Sequence, residues 1–302
     1  MRSDQLVSVV IPTVGRPSLL RALRSVEAQT HSAVQTIVVY DGAPDDRPAC
    51  PEGVDRWIET TGFRGAAHAR NLGFSVASGP FVALLDDDDE WTPDHLGACV
   101  GYLNNHAEVD VVATSAVVHR ADGAVRLSPR VLMKDGEHLL TYLFGPGALI
   151  SRERRMMTPT LVFRRELTEL PMREDFSQRE DTWWLLNQTL EGHKLVQLDT
   201  RSVIVHEDEE RFAPRRSMDT DIWWADQLES VQRHAGTAYL VNVAGRERAR
   251  SGDVEAVLSL RKHLLRRGSA RRWQRSVLLL EVLVAFIMGR LRTSPGERRA
   301  ER

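Results

Sequence analysis

The stretch "LVSVVIP" at residues 6–12 is followed by "PSLLRALRSVEAQT" and then by "VQTIVVYDG". The first and last are β-branched apolar runs, and between them Leu19, Leu20, Leu23 and Val26 fall on one helical face, so the segment reads as a β-α-β unit. The rhythm continues through a weak strand near "DRWIETT", a helix through "GAAHARNLGFSVAS" and the strand "PFVALL". A helix follows at "TPDHLGACVGYLNN", with Thr92 as N-cap and Pro93 in its first turn, and then the strand "VDVVATSAVVHR". Short apolar strands alternating with amphipathic helices predict an α/β fold: a mostly parallel sheet with helices on both faces. Such sheets bind ligands at the carboxyl ends of their strands.

Beyond residue 130 the pattern loosens. "LFGPGALISRERRMMTPTLVFRREL" reads as loop followed by strand or turn, "REDTWWLLNQTLEGHK" as a helix, and "LVQLDTRSVIVHEDEERF" as a strand pair running into an acidic loop. From about 217 the chain reads as helices. Composition, 42% hydrophobic and 27% charged over 302 residues, is that of a soluble globular protein with room for one large core or two modest ones. A formal net charge of -2 gives no reason to expect nucleic acid as a partner, although the last stretch, from "RGSARRWQR" onward, is basic. Cys50 and Cys99 are the only cysteines and form no CxxC pairing, which points to neither a disulfide framework nor a zinc ribbon and makes a cytoplasmic location the default expectation. The apolar run Val277–Met288, interrupted by Glu281, is shorter than the roughly 20 residues a bilayer span needs. Two readings of that run stay open, a helix docked on the core or in a homodimer interface, and an interfacial helix on anionic lipid at the inner face of the membrane.

The strand "FVALL" runs directly into "DDDDEW". Adjacent carboxylates at the end of a buried strand repel unless a cation offsets them, and hard oxygen donors in such a cluster suit Mn²⁺ or Mg²⁺. Mg²⁺ is typically held by one or two carboxylates together with substrate phosphates, so a diphosphate-bearing substrate is implied. A second acidic pair, Glu180–Asp181, opens a helix and is followed by Trp183 and Trp184. Acids there complement the helix dipole, and one of them can also serve as a base toward an acceptor hydroxyl.

Taken in order, "VSVVIPTVGRPSLLRALRSVEAQTHSAVQTIVVYDGAPDD", "GAAHARNLGFSVASGPFVALLDDDDEWTPDHL" and "REDTWW" resemble the family 2, GT-A-fold glycosyltransferases that use nucleotide-sugar donors. The resemblance covers about residues 5–210. It implies a GT-A-type Rossmann-like sheet flanked by helices in residues 1–215, with nucleotide-sugar binding in about 5–125 and the acceptor and catalytic part in about 126–215, and a helical C-terminal extension, 216–302. Residue by residue, Asp86 and Asp88 match the DxD motif, Asp88 as metal ligand and Asp86 toward the ribose or the metal. Asp89 would support the loop or the sugar. Asp87 falls among the donor-binding residues as the variable position, the one expected to tolerate replacement.

Further, Pro12, Thr13 and Arg16 match the loop lining the nucleoside, and Asp41 the aspartate that reads the base. Many relatives place a second aspartate before it where this chain has Tyr40, which leaves the base open. Arg70 and Asn71 match a segment near the nucleotide, with an ion pair between Arg70 and the aspartate cluster as a compatible alternative. Asp181 matches the catalytic base and Glu180 its neighbour, with the tryptophans as apolar walls for a sugar ring. His206 is either a surface residue or, as in several relatives, a further metal ligand.

The implied activity is inverting, divalent-metal-dependent transfer of a sugar from a nucleotide-sugar donor to the hydroxyl of an acceptor that the sequence does not specify: a glycan, a lipid-linked or a small molecule. A sugar-phosphate nucleotidyltransferase is the alternative enzyme, although "TVGRPS" is a poor triphosphate loop. A non-catalytic binding protein on the same fold is the third reading.

Overall fold

A computed structural model describes residues 5–144, 154–175, 178–207 and 218–267, together with 277, 280 and 282–284. The chain forms two compact units, Met1–Leu139 with Arg152–Pro214, and Leu140–Ser151 with Arg215–Arg302.

The first unit opens with β1 (Val7–Thr13), α1 (Leu19–Glu27), β2 (Val34–Tyr40), β3 (Arg56–Glu59), α2 (Ala66–Val76) and β4 (Phe81–Leu84). It continues with β5 (Glu90–Trp91), α3 (His95–Asn105), β6 (Val111–His119) and β7 (Val125–Ser128). After α4 (Leu139–Phe144), which but for Leu139 belongs to the second unit, come β8 (Leu161–Arg164), α5 (Glu180–Leu190) and β9 (Leu195–His206) of the first. One sheet takes the order β3-β2-β1-β4-β8-β6-β9-β5, with β7 paired to β6. β3, β2, β1 and β4 are mutually parallel, β8 runs antiparallel between β4 and β6, and β6 and β9 are again parallel. The expected α/β architecture, a mostly parallel sheet with flanking helices, is the one observed.

Register brings the site's loops to one edge. Thr13 pairs with Tyr40, and Val10 with Leu84, so β1, β2 and β4 release their chains at the same end of the sheet, where Thr13, Asp41 and the aspartate run emerge. The strands are buried on both faces, which is why they read as unbroken apolar runs. α2 lies close on this sheet because residue 73 is glycine: a Cβ there would stand 2.3 Å from Val10 Cγ1. Gly73→Ala is therefore expected to lower stability by about 1–3 kcal/mol in denaturant unfolding, despite the better helix propensity of alanine.

Two expectations are corrected. Helix α3 starts at His95, because Thr92 is held in extended pairing by its N–H to the Ser202 carbonyl at 2.9 Å, and its own carbonyl, not its hydroxyl, accepts from the His95 N–H at 3.1 Å. The segment read as a strand pair is the single strand β9, whose register on β6 slips on either side of Ser115.

His95 is fully buried, stacked on Trp91 with ring centroids 4.5 Å apart and with Nδ1 2.8 Å from Ser202 Oγ. Burial pushes its pKa down to about 3. The native ring therefore stays neutral while the unfolded ring takes a proton below about pH 6.5. Below that pH the unfolded state binds more protons, so stability falls by about 1.4 kcal/mol per pH unit as pH drops toward 3. Chemical denaturation at pH 7 and pH 5 checks this, and His95→Gln should flatten the dependence.

The second unit is helical: α6 (Met218–Val231), α7 (Ala235–Tyr239), a π-helical turn over Leu240–Gly245, α8 (Arg246–Arg250) and α9 (Val254–Arg267). Its interior is fixed by Asp221, 1% exposed, which accepts from Tyr239 Oη at 2.9 Å and pairs with Arg248 at 2.6 Å. Most of Val277–Met288 lies outside the described residues. Within it, Val282 and Val284 pack on Ala249 and Val257, while Leu280 and Leu283 are exposed. No described helix is long and apolar enough to cross a membrane.

Candidate active site

Two acid sets are tied together at the carboxyl edge of the sheet. The first is the loop after β4. One carboxylate oxygen from each of Asp86, Asp88 and Asp89 lies within 4.8 Å of the others. Part of their repulsion is offset by the protein itself. Arg16 Nη1 reaches Asp88 Oδ2 at 3.1 Å and Asp87 Oδ1 at 3.2 Å, Arg70 Nη2 reaches Asp86 Oδ1 at 2.8 Å, and Arg21 holds the Asp88 carbonyl at 2.7 Å. Asp89 Oδ1 accepts from the His206 backbone N–H at 3.1 Å.

Asp87 is not the tolerant position the sequence suggested. It is 5% exposed, and its second oxygen takes the Thr13 hydroxyl at 2.6 Å. Burial pushes its carboxyl up to about 6, against the pull of Thr13 and Arg16. Asp87 thus fastens the aspartate loop to the end of β1.

The loop after β2 is organised by Asp41, also buried. Its carboxylate accepts from the N–H groups of Arg64 at 2.8 Å and Gly65 at 2.7 Å and from the Thr60 hydroxyl, which shapes the approach to α2. Tyr40, standing where many relatives have an aspartate, donates its hydroxyl to the Ala43 carbonyl at 2.7 Å and stacks on Trp57. Asn71 is committed to structure: its amide exchanges hydrogen bonds of 2.8 Å with the Met172 backbone, and Nδ2 also reaches Glu174 at 3.0 Å. It pins the segment leading to α5 against α2.

The second acid set heads α5. Arg179 enters the helix with φ 65°, a left-handed conformation few non-glycine residues adopt, and Glu180 and Asp181 follow. Arg70, 4% exposed, spans the two sets: Nη1 meets Glu180 Oε1 at 2.7 Å while Nη2 holds Asp86. Burial opposes the guanidinium charge, but Asp86, Glu180 and Asp181 more than reverse that and raise its pKa. Burial pushes the Glu180 carboxyl up, Arg70 pulls against it, and the charge of Asp181 adds to the rise. Asp181 itself accepts from the Thr158 hydroxyl at 2.5 Å and from the Thr182 N–H at 2.6 Å.

The tryptophans do not form walls for a sugar. Trp184 is 1% exposed, packed near Phe74 and Phe163 with Nε1 donating to the Leu170 carbonyl at 2.7 Å, and Trp183 is buried as well. The His206 ring is turned toward a neighbouring acid. Its Nε2 lies 2.9 Å from Glu90 Oε1, and the converging group among the described residues is Asp86, Asp88 and Asp89, without the histidine. A cavity of about 510 Å³ lined by Leu23, Val26, His31 and Val34 lies at the amino end of β2, away from either acid set.

Residues 8–166 match the family model described as Glycosyl transferase family 2. The chain belongs to glycosyl transferase family 2. An uncharacterized glycosyltransferase of Nostoc sp. is 28% identical over 174 residues, 54% of this chain and 52% of the relative, so the chain spans about half of that protein's length. Among solved structures, S. aureus TarS 1-349 superposes with a TM-score of 0.62 at 14% identity, covering 96% of this chain and 92% of that one. The mannosyltransferase PcManGT of Pyrobaculum calidifontis, in complex with GDP-Man and Mn²⁺, gives 0.53 at 16% identity, covering 97% and 89%. At such identities the likeness shows a shared fold alone.

The sequence missed Thr158, which stands in an uncharged "TPT" turn far from either acid run, and it did not foresee that Arg16 pairs with Asp87 and Asp88.

Proposed function

We propose that this chain is an inverting, divalent-metal-dependent glycosyltransferase that moves a sugar from a nucleoside-diphosphate donor to an acceptor hydroxyl. The observation that carries the reading is the bridge by Arg70 between an acid cluster fit for a cation and a separate carboxylate pair heading α5. The donor set of Asp86, Asp88 and Asp89 is all oxygen and convergent, which fits Mn²⁺ or Mg²⁺, with Asp88 as principal ligand. When bound, such an ion would neutralise the donor's diphosphate. PcManGT was solved with GDP-Man and Mn²⁺ and TarS 1-349 with UDP-GlcNAc, which supports the choice of ligand class.

The rest of the chemistry falls to the chain's own side chains. Asp41 and Thr13, with Pro12 and Arg16, line the nucleoside and phosphate end. Glu180, with its raised pKa and its contact to Arg70, leaves Asp181 as the base. Its carboxylate takes the proton as the acceptor oxygen bonds to the anomeric carbon. The bond from that carbon to the diphosphate breaks, and its electron pair leaves on the phosphate oxygen. Attack opposite the leaving group inverts the centre.

A melting-point screen of UDP, GDP and dTDP, each with and without Mn²⁺, tests the ligand class. One diphosphate should raise the melting temperature only when the metal is present, since ligands of the native state stabilise it by mass action. No shift with any pair would count against the reading.

A further inference from the structure

We infer that Thr158 is a positioning residue for Asp181, aiming its carboxylate into the site. The inference rests on the reading of Asp181 as the base. Thr158 Oγ1 stands 2.5 Å from Asp181 Oδ2, and an ionised carboxylate can only accept, so the hydroxyl donates. The other oxygen takes the Thr182 N–H of the helix's own first turn at 2.6 Å. Oδ1 also takes the Thr182 hydroxyl at 3.3 Å, so donors on both oxygens fix the carboxylate plane, and the lone-pair site left for a ligand is on Oδ2, the oxygen that Thr158 holds. Thr158 is only 8% exposed, so the bond is sheltered from competing water.

The turn that carries Thr158 is anchored on the metal side of the site. Thr160 closes it on the Met157 carbonyl, through its N–H at 3.0 Å and its hydroxyl at 2.6 Å. The Pro159 carbonyl accepts the Trp91 indole N–H at 2.7 Å, and Trp91, 3% exposed, lies two residues beyond Asp89. One short turn therefore touches Asp181 through its hydroxyl and the strand after the aspartates through its backbone. It is a second strut across the site, beside the Asp86–Arg70–Glu180 bridge, and it sets the base relative to the acid cluster.

Glu180 and Arg70 are the neighbouring charges, and both stay in place when residue 158 is changed. Loss of a hydrogen-bond donor changes the shielding of a carboxylate carbon. The test uses the full chain labelled with ¹³Cγ-aspartate, the Asp181 signal being identified by its loss in Asp181→Asn. Thr158→Val keeps the side chain's shape without the hydroxyl and should move the Asp181 signal at pH 7. Thr158→Ser, which restores the hydroxyl, should leave it in place, and melting curves of both variants report folding. If the valine variant does not fold, Thr158→Ala is read by the same criterion. An unmoved signal without the hydroxyl, or a serine variant shifted as far as valine, overturns the proposal. Because no substrate is needed, this outcome is separate from that of the base assignment, which fails if Asp181→Asn turns over at the full rate.

Discussion

Replacing Arg70 with methionine is expected to destabilise the protein by about 3–5 kcal/mol, the cost of leaving partners of a buried charge uncompensated. In a unit of this size that is a fall in melting temperature of roughly 10 °C. The magnitude follows from the geometry: the guanidinium is 4% exposed and pairs with Asp86 at 2.8 Å and Glu180 at 2.7 Å, so its loss strands two carboxylates at once. Surface pairs such as Arg47–Glu59, open to water, should cost far less when broken. The double variant Arg70→Met with Glu180→Gln should recover part of the loss, because one stranded charge is then absent. Calorimetry of the single and double variants checks both, and equal melting temperatures for Arg70→Met and the unmodified protein would contradict the bridge.

The second large effect is on turnover. Asp181→Asn keeps the size of the side chain and can still accept from Thr158, but the amide cannot take a proton from the acceptor. General-base catalysis contributes about 10²–10⁴-fold, so turnover should fall by that factor. Affinity for the donor diphosphate with Mn²⁺ should stay within about twofold, because the proposed role of Asp181 is toward the acceptor and not the donor. Parallel loss of binding and turnover would place Asp181 in the donor site instead.

Much of this was legible in the sequence, for identifiable reasons. β1, β2 and β4 are buried on both faces and bounded by turns, so their apolar runs announced strands, and the carboxyl-edge rule then located Asp41 and Asp86–Asp89. The Glu180–Asp181 pair was visible because it opens a helix. What stayed hidden depended on contacts between distant segments. Asp87 looked dispensable beside its neighbours, yet its partners Thr13 and Arg16 are 74 and 71 residues away. Trp184 looked like a sugar platform because aromatic residues serve either use, and only its packing against Phe74 and Phe163 decides. His206 ends β9 beside the aspartates, as expected, but Glu90 on the neighbouring β5 holds its ring.

In the proposed mechanism the aspartate cluster holds the cation through which the donor diphosphate binds. Isothermal titration of the nucleoside diphosphate selected by melting, into the protein with and without Mn²⁺ and into Asp88→Asn, tests it most directly. Binding to the unmodified protein is expected only with Mn²⁺, and that metal-dependent affinity should fall at least about tenfold in Asp88→Asn, roughly 1.4 kcal/mol or more. Metal-dependent affinity undiminished in Asp88→Asn would contradict it.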